Sequence, residues 1–354
     1  MQRTLGMPRH LPPHRIVIAV GVLAVAVAVA GVASAALLLG RPSEPVVAVA
    51  SPSASTVPTA SPTSSPSPSP SPSPSASPSA SATPGPDPLL GTDGRLTVLL
   101  LGSDYRPAHP GNRTDVIMVV SLDPASGKVA AASIPRDTTN FPTGSGSVYR
   151  AKVNGLYQSL IGRMGQPKAA AQMKKLVGAA IGVEVDSYAV IGFKGVQKLV
   201  DAVGGVDVVL PKAVNDPYYW VTAKEHGVHF PAGRNHLNGS RALILARTRK
   251  GDNDFERARR QQLLVAAAVD AVRHRGLTKV PALVSIGRHY VKTDLPLASA
   301  PELFAIVAKA DLSHSQRVVF GPTKWASSTG GTSFALKLGE VRQWTSTWMA
   351  PVKD

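Results

Sequence analysis

An α/β/α sandwich built on a central mixed sheet is the fold this sequence predicts, and three observations carry it. Residues 96–101, 116–122 and 129–134 are apolar, β-branched runs of the length and composition of buried strands. Segments of helical period follow them, and strand-like runs return at residues 187–193 and 206–210. Strands alternating with helices place helices on both faces of one sheet.

The elements follow in order. Residues 145–154 (SGSVYRAKVN) read as a polar loop entering a helix near Leu156. Residues 167–181 have helical apolar spacing, with Pro167 suited to a first turn. After the strand at 187–193, residues 194–203 form a short amphipathic helix stopped by Gly204-Gly205, and 206–210 (VDVVL) is a further strand. Residues 214–235, rich in Tyr, Trp and His, read as a long loop. Helices are expected at 240–246, 256–273, 301–310 and near 340–349, with a strand at 317–320.

The chain outside this domain has a different character. Residues 16–40 are 25 uncharged, mostly apolar residues preceded by Arg3, Arg9 and Arg15. About 20 such residues span a bilayer, so this stretch predicts one transmembrane helix, with residues 1–15 as a cytoplasmic tail. Ala33-Ser34-Ala35 also resembles a cleavage site, which leaves a removed secretory signal as the alternative. Residues 41–92 are a Ser/Pro-rich linker with nothing to bury, nearly pure Ser-Pro through 65–75. At about 3.1 Å per residue, an extended linker of this length reaches about 150 Å. Residues 93–354 then form the extracytoplasmic domain, with the charged motifs within 95–270. The expected location is the cell membrane, single-pass, with the N-terminus cytoplasmic.

Charge narrows the chemistry. The chain has 354 residues, no cysteine and a net charge of +16. Four of its 38 basic residues lie in residues 1–41, leaving 34 against 22 acids, so the surplus belongs to the folded part. Such a surface fits phosphate-rich partners. Export, and the lack of a helix-turn-helix or a base-stacking aromatic pattern, argue against nucleic acid. The absence of cysteine excludes disulfides and thiolate metal sites.

Two charged clusters stand out. The first strand ends in Gly102-Ser103-Asp104, the second is entered through Arg113-Thr114-Asp115, and the third exits into Pro135-Arg136-Asp137. Strand ends present side chains to one sheet edge, so carboxylates for a hard cation and guanidiniums for phosphate could meet there. Ordinary solvated ion pairs would look the same. In the second cluster, Arg247-Thr248-Arg249 closes one helix and DFERARRQQ (254–262) opens the next. Arg257 and Arg260 share a face of that helix, where an anion would also meet the positive helix end. A solvated basic helix is the plain alternative. His226, His229 and His236 read as a surface loop rather than a zinc site.

Seven short motifs occur in an order with a known counterpart: GSD (102–104), RTD (113–115), IPRD (134–137), KVN (152–154), PAG-x2-HLNG-x2-AL (231–243), RTR (247–249) and DF-x-R-x2-RQQ (254–262). Together they resemble the LytR-CpsA-Psr family of cell-envelope proteins. The resemblance implies a magnesium-dependent phosphotransferase. Its donor would be a polyprenyl-pyrophosphate-linked glycopolymer and its acceptor peptidoglycan, joined through a phosphodiester at the muramic acid six-hydroxyl. It further implies that Asp104 and Asp115 bind magnesium and act in catalysis with Arg113 and Arg136. Arg113, Arg136, Arg247, Arg249, Arg257 and Arg260 would surround the pyrophosphate, and the prenyl chain would lie in an apolar tunnel, which the Ala/Val-rich helix at 263–272 could line. Asp137 and Asp254 are the open choices for a base. A polyprenyl-pyrophosphate hydrolase with the same site, or a non-enzymatic wall- or polyanion-binding module, are the alternatives.

Overall fold

The computed structural model describes residues 89–105, 111–275, 280–296, 299–322 and 324–350. The expected transmembrane helix (16–40) and nearly all of the linker (41–92) lie outside them. Among the described residues, no helix is long and apolar enough to cross a membrane.

The chain opens with an antiparallel meander: β1 (Leu96–Ser103), β2 (Thr114–Leu122) and β3 (Val129–Ser133). A hairpin, β4 (Phe141–Gly144) and β5 (Ser147–Tyr149), leads through a 3-10 turn at Val153–Gly155 into α1 (Leu156–Met164) and α2 (Gln166–Ile181). Then come β6 (Ser187–Gly192), α3 (Phe193–Ala202), β7 (Val206–Leu210), β8 (Val214–Trp220), β9 (His226–Phe230) and β10 (Gly233–Leu237). The second half carries α4 (Gly239–Arg247), α5 (Asp254–Arg275), α6 (Val280–Tyr290), β11 (Val291–Thr293) and α7 (Ala300–Ala308). It ends with β12 (Gln316–Val319), the hairpin β13 (Ala326–Gly330)–β14 (Ser333–Leu336) and α8 (Leu338–Trp348).

Six strands form one sheet in the order β11-β6-β1-β2-β3-β12, with β6 parallel to β1, β12 parallel to β3, and the other pairs antiparallel. The sheet is mixed, as expected. Side-chain alternation splits its apolar residues between two cores. Leu96, Val98 and Leu100 with Met118 and Val120 pack with Leu199 of α3, Leu245 of α4, Val269 of α5 and Leu303 of α7. Leu99, Leu101, Ile117 and Val119 pack on the other face with Tyr157 of α1, Met173 and Val177 of α2, and Val341 of α8. The continuous apolar runs are thus explained: both faces of these strands are buried.

The expected loop at 214–235 is instead three strands. β8 and β9 pair with each other, while β10 pairs with β7. Their period was concealed because the inward position 216 is an aspartate, Pro217 interrupts the run, and the register shifts between Asp216 and Trp220. The expected polar loop at 145–154 contains half of the β4–β5 hairpin, turned by Ser145 and Gly146, both at positive φ. Residues 280–293 and 326–336, which carry no clear period, form α6, β11 and the β13–β14 hairpin.

Candidate functional site

The strand ends bearing the acidic and basic motifs fall at one sheet edge, because β1 and β3 leave where antiparallel β2 enters. Ser103 of β1 stands opposite Thr114 of β2. Beyond that pair, Asp104 and Arg113 exchange contacts: the Asp104 amide donates to the Arg113 carbonyl at 3.0 Å, and the Arg113 amide donates to Asp104 Oδ1 at 2.7 Å. The Arg113 side chain is left exposed.

The IPRD motif turns directly after β3. The Thr138 amide and hydroxyl both donate to the Pro135 carbonyl, and the Asn154 amide donates to the Arg136 carbonyl. Lys152 Nζ meets Asp137 at 3.0 Å. KVN therefore splints IPRD, which accounts for the two motifs occurring together. Held this way, Arg136 donates from Nη1 to Asp115 Oδ1 at 3.0 Å and from Nε to Asp254 Oδ2 at 2.7 Å. Burial works against its charge, but the Coulombic pull of Asp115 and Asp254 outweighs that and holds its pKa above the ordinary arginine value.

Asp254 begins α5 and is the hub. Besides Arg136 it accepts from Arg257 Nη2 at 3.2 Å and lies 3.9 Å from Arg249 Nη1. Arg257 is 5% exposed. Burial and the nearby Arg136 charge push its pKa below the ordinary value. Its Nε is buried with no acceptor among the described residues. A charged guanidinium nitrogen left so is costly unless an anion meets it. α5 is itself pinned to the sheet, since Gln262 Nε2 donates to Ser133 Oγ and to the Val318 carbonyl.

The loop between α4 and α5 is set by residues that hold its backbone rather than the clustered side chains. Asp216 is 1% exposed, and its Oδ2 accepts from the Thr248 hydroxyl and the amides of Arg249 and Lys250. Arg260, expected around the pyrophosphate, is buried elsewhere: it donates to the carbonyls of Leu245 and Thr248 and pairs with Asp252. It braces the RTR loop from below. Arg247 points to another group, donating to Tyr219 Oη at 3.1 Å and lying 4.5 Å from the Phe193 ring centre. Asn238 caps α4 by accepting from the Arg241 amide. Gly239 is required beside it, because a Cβ there would stand 2.2 Å from the Gln197 carbonyl oxygen.

Asp104 and Asp115 occupy neighbouring strand ends, and each keeps its second carboxylate oxygen out of any hydrogen bond among the described residues. Two hard oxygen donors of this kind fit magnesium, which commonly takes one or two carboxylates together with water and substrate phosphate. Among the described residues no group of three or more His, Cys, Asp or Glu could hold a metal by itself. The three histidines are dispersed onto Pro217, Asn215 and Asp207.

Sequence reasoning missed Asp216 and Tyr219, because both fall in the stretch read as loop. It left Asp254 as one of two spare acids, and no short-range signal marks it as the hub.

The model of the LytR_cpsA_psr family matches residues 60–343. The cell wall biosynthesis protein LcpA of Corynebacterium glutamicum is 32% identical over 231 residues, 54% of this chain and 43% of that protein. The polyisoprenyl-teichoic acid–peptidoglycan teichoic acid transferase TagU of Bacillus mycoides is 36% identical over 176 residues, 49% of this chain and 51% of that protein. Regulatory protein MsrR of Staphylococcus aureus is 32% identical over 206 residues, 58% of each. The chain thus spans about half the length of the curated relatives it matches. Among solved structures, TagV of B. subtilis superposes with a TM-score of 0.57 at 23% identity, covering 73% of this chain and 98% of TagV. TagT bound to LIIa-WTA gives 0.54 at 23%, covering 72% and 91%. At that identity these structures establish the shared fold.

Proposed function

The chain belongs to the LytR_cpsA_psr family, and on that premise we propose that it is a phosphotransferase moving a glycopolymer from a polyprenyl-pyrophosphate carrier to a peptidoglycan hydroxyl. The observation that carries this reading is the guanidinium cluster at the head of α5. Arg136, Arg249 and Arg257 gather on Asp254, with a buried Arg257 Nε that lacks an acceptor. Three guanidiniums and Lys152 against Asp115, Asp137 and Asp254 leave a surplus of one positive charge at a helix N-terminus, where a diphosphate would be favoured. The names of TagU and LcpA point the same way.

In the proposed reaction the acceptor hydroxyl oxygen attacks the phosphorus that carries the glycopolymer. A new P–O bond forms, the anhydride P–O bond breaks, and polyprenyl monophosphate leaves with the electron pair. The hydroxyl proton passes to a base or to water. Arg136 and Arg257 are held before substrate arrives, so they can meet the charge growing on phosphate oxygens without rearranging. Asp104 and Asp115 would hold magnesium, which would add positive charge against the same oxygens. Asp254 already accepts from two guanidiniums, so orienting them is its role here. The prenyl chain would lie on the sheet face covered by α5, beside that helix's small residues Ala266, Ala267 and Ala271. The anchor would keep this domain outside the cell membrane within reach of both substrates.

The test is to incubate the full chain in detergent with lipid-linked glycopolymer, with and without peptidoglycan and with and without EDTA. Acceptor-dependent, EDTA-sensitive release of polyprenyl monophosphate is expected. Release independent of acceptor would replace this reading with a hydrolase, and binding without release would leave a polyanion-binding module.

A further inference from the structure

Three of the four tryptophans of the chain, Trp325, Trp344 and Trp348, meet at one surface formed by the C-terminal segment. Trp325 and Trp344 both stand edge-on against buried Phe320, with ring centres 5.7 and 6.0 Å away, so their orientations are set from beneath. Trp348 is 40% exposed at the end of α8. A hollow of about 240 Å³ separates these rings, with Gln343, Glu340 and Lys324 at its margin. Lys324 Nζ lies 4.6 Å above the Trp325 ring. Trp325 and Lys324 also line a second hollow of about 410 Å³, which continues past Gly321 to Phe255, Asn253 and Arg259. Gly321 keeps that floor low, since a Cβ there would fall 2.9 Å from the Phe255 ring. Asn253 and Phe255 flank Asp254. The two hollows share Lys324 and Trp325, and together they run from α8 to the first turn of α5, the turn that also carries Asp254.

We propose that this track is a saccharide-binding groove that receives the acceptor glycan strand, an assignment that rests on the transferase reading. Its chemistry matches pyranose rings. Each ring has an apolar C–H face that can lie on an indole, and a rim of hydroxyl and acetamido groups that needs donors and acceptors. Gln343, Asn253, Lys324 and Glu340 supply both kinds. A prenyl chain would leave these polar groups desolvated and unpaired. A polyanion would meet Glu340, and of the two cations here Arg259 is already paired with Glu256. The proline-rich segment of this chain (65–75) is the remaining aromatic-seeking occupant. It is disfavoured because it gives no reason for the groove to end beside Asp254.

The experiment is calorimetric titration of the full chain with soluble peptidoglycan glycan fragments stripped of stem peptides, in the absence of donor. Saturable binding is expected, weakened at least tenfold in Trp348→Ala and severalfold in Gln343→Ala, both exposed positions on α8. Affinity for polyprenyl diphosphate should be unchanged in either variant, and in the transfer assay Trp348→Ala should raise the acceptor KM rather than lower kcat. The groove assignment falls if the fragments do not bind, if both variants bind like wild type, or if a Ser-Pro peptide of residues 65–75 displaces the glycan. Glycan binding without any transfer would instead sink the transferase reading and leave the groove standing.

Discussion

Arg136 and Asp254 are joined at 2.7 Å across 118 residues of chain. The guanidinium comes from the turn that follows β3 and the carboxylate from the first residue of α5, so this contact closes the sheet edge against the helix. It works beside Gln262, which ties the same helix to Ser133 and Val318.

Replacing Asp254 by Ala removes the acceptor shared by Arg136 and Arg257, both largely buried. Arg257 then faces Arg136 with no carboxylate of its own, while Arg136 keeps Asp115 and Asp137, and the fold should lose about 1–3 kcal/mol. Denaturant unfolding at low and high salt checks this. The loss should shrink as salt rises, and an unchanged midpoint would remove Asp254 as the hub.

Arg136→Lys keeps the charge and loses the fork. A single ammonium cannot reach Asp115 and Asp254 in the geometry of Nη1 and Nε, so the phosphate-facing arrangement is no longer preset. Transfer should fall about 100-fold with the folded state retained by circular dichroism. Near wild-type turnover would make Arg136 a charge and nothing more.

Arg249 and Arg260 should separate cleanly. Arg260 is 4% exposed and braces two carbonyls and Asp252, so Arg260→Ala should cost about 3–5 kcal/mol of stability. The Arg249 side chain is half-exposed. Arg249→Ala should shift stability by under about 0.5 kcal/mol while weakening diphosphate binding about tenfold or more. Thermal melts and binding titrations on the pair read both; reversed outcomes would exchange their roles.

Asp186 gives a pH dependence far from the site. Burial, with Asp93 and Glu184 nearby, pushes its pKa up to about 6, against opposing help from the Thr97 amide and Lys174. Between about pH 4 and 6 the folded chain keeps a proton that the unfolded chain has lost. Its contribution to stability is therefore present in acid and disappears as pH rises through about 6. Asp186→Asn, which preserves the acceptor for Thr97, should stabilise the protein at pH 7.5 by on the order of 1 kcal/mol after solvent screening. It should leave stability at pH 4 unchanged. A gain of equal size at both pH values would assign the effect to something other than the carboxyl proton.

Much of this molecule is written in short stretches of chain. The β-branched runs that became β1, β2 and β3 could be read because both faces of a central strand are buried. The caps at Asn238 and Pro167 mark helix starts by local chemistry. The charge-bearing motifs could be placed at one sheet edge because antiparallel neighbours turn there. β8 to β10 escaped notice because a buried aspartate broke the apolar alternation that marks a strand.

By itself, then, the sequence determined the layered α/β architecture, the family and the set of charged residues from which the site is drawn. Only the tertiary structure decided which of those charges act together. It put Asp254 at the centre, turned Arg260 away to brace a loop, turned Arg247 towards Tyr219 and Phe193, and gathered three tryptophans around one hollow at the C-terminal segment. The reason is physical: periodicity and capping depend on neighbours within a few residues, whereas an ion pair depends on where two distant segments are brought by the cores on either side of the sheet.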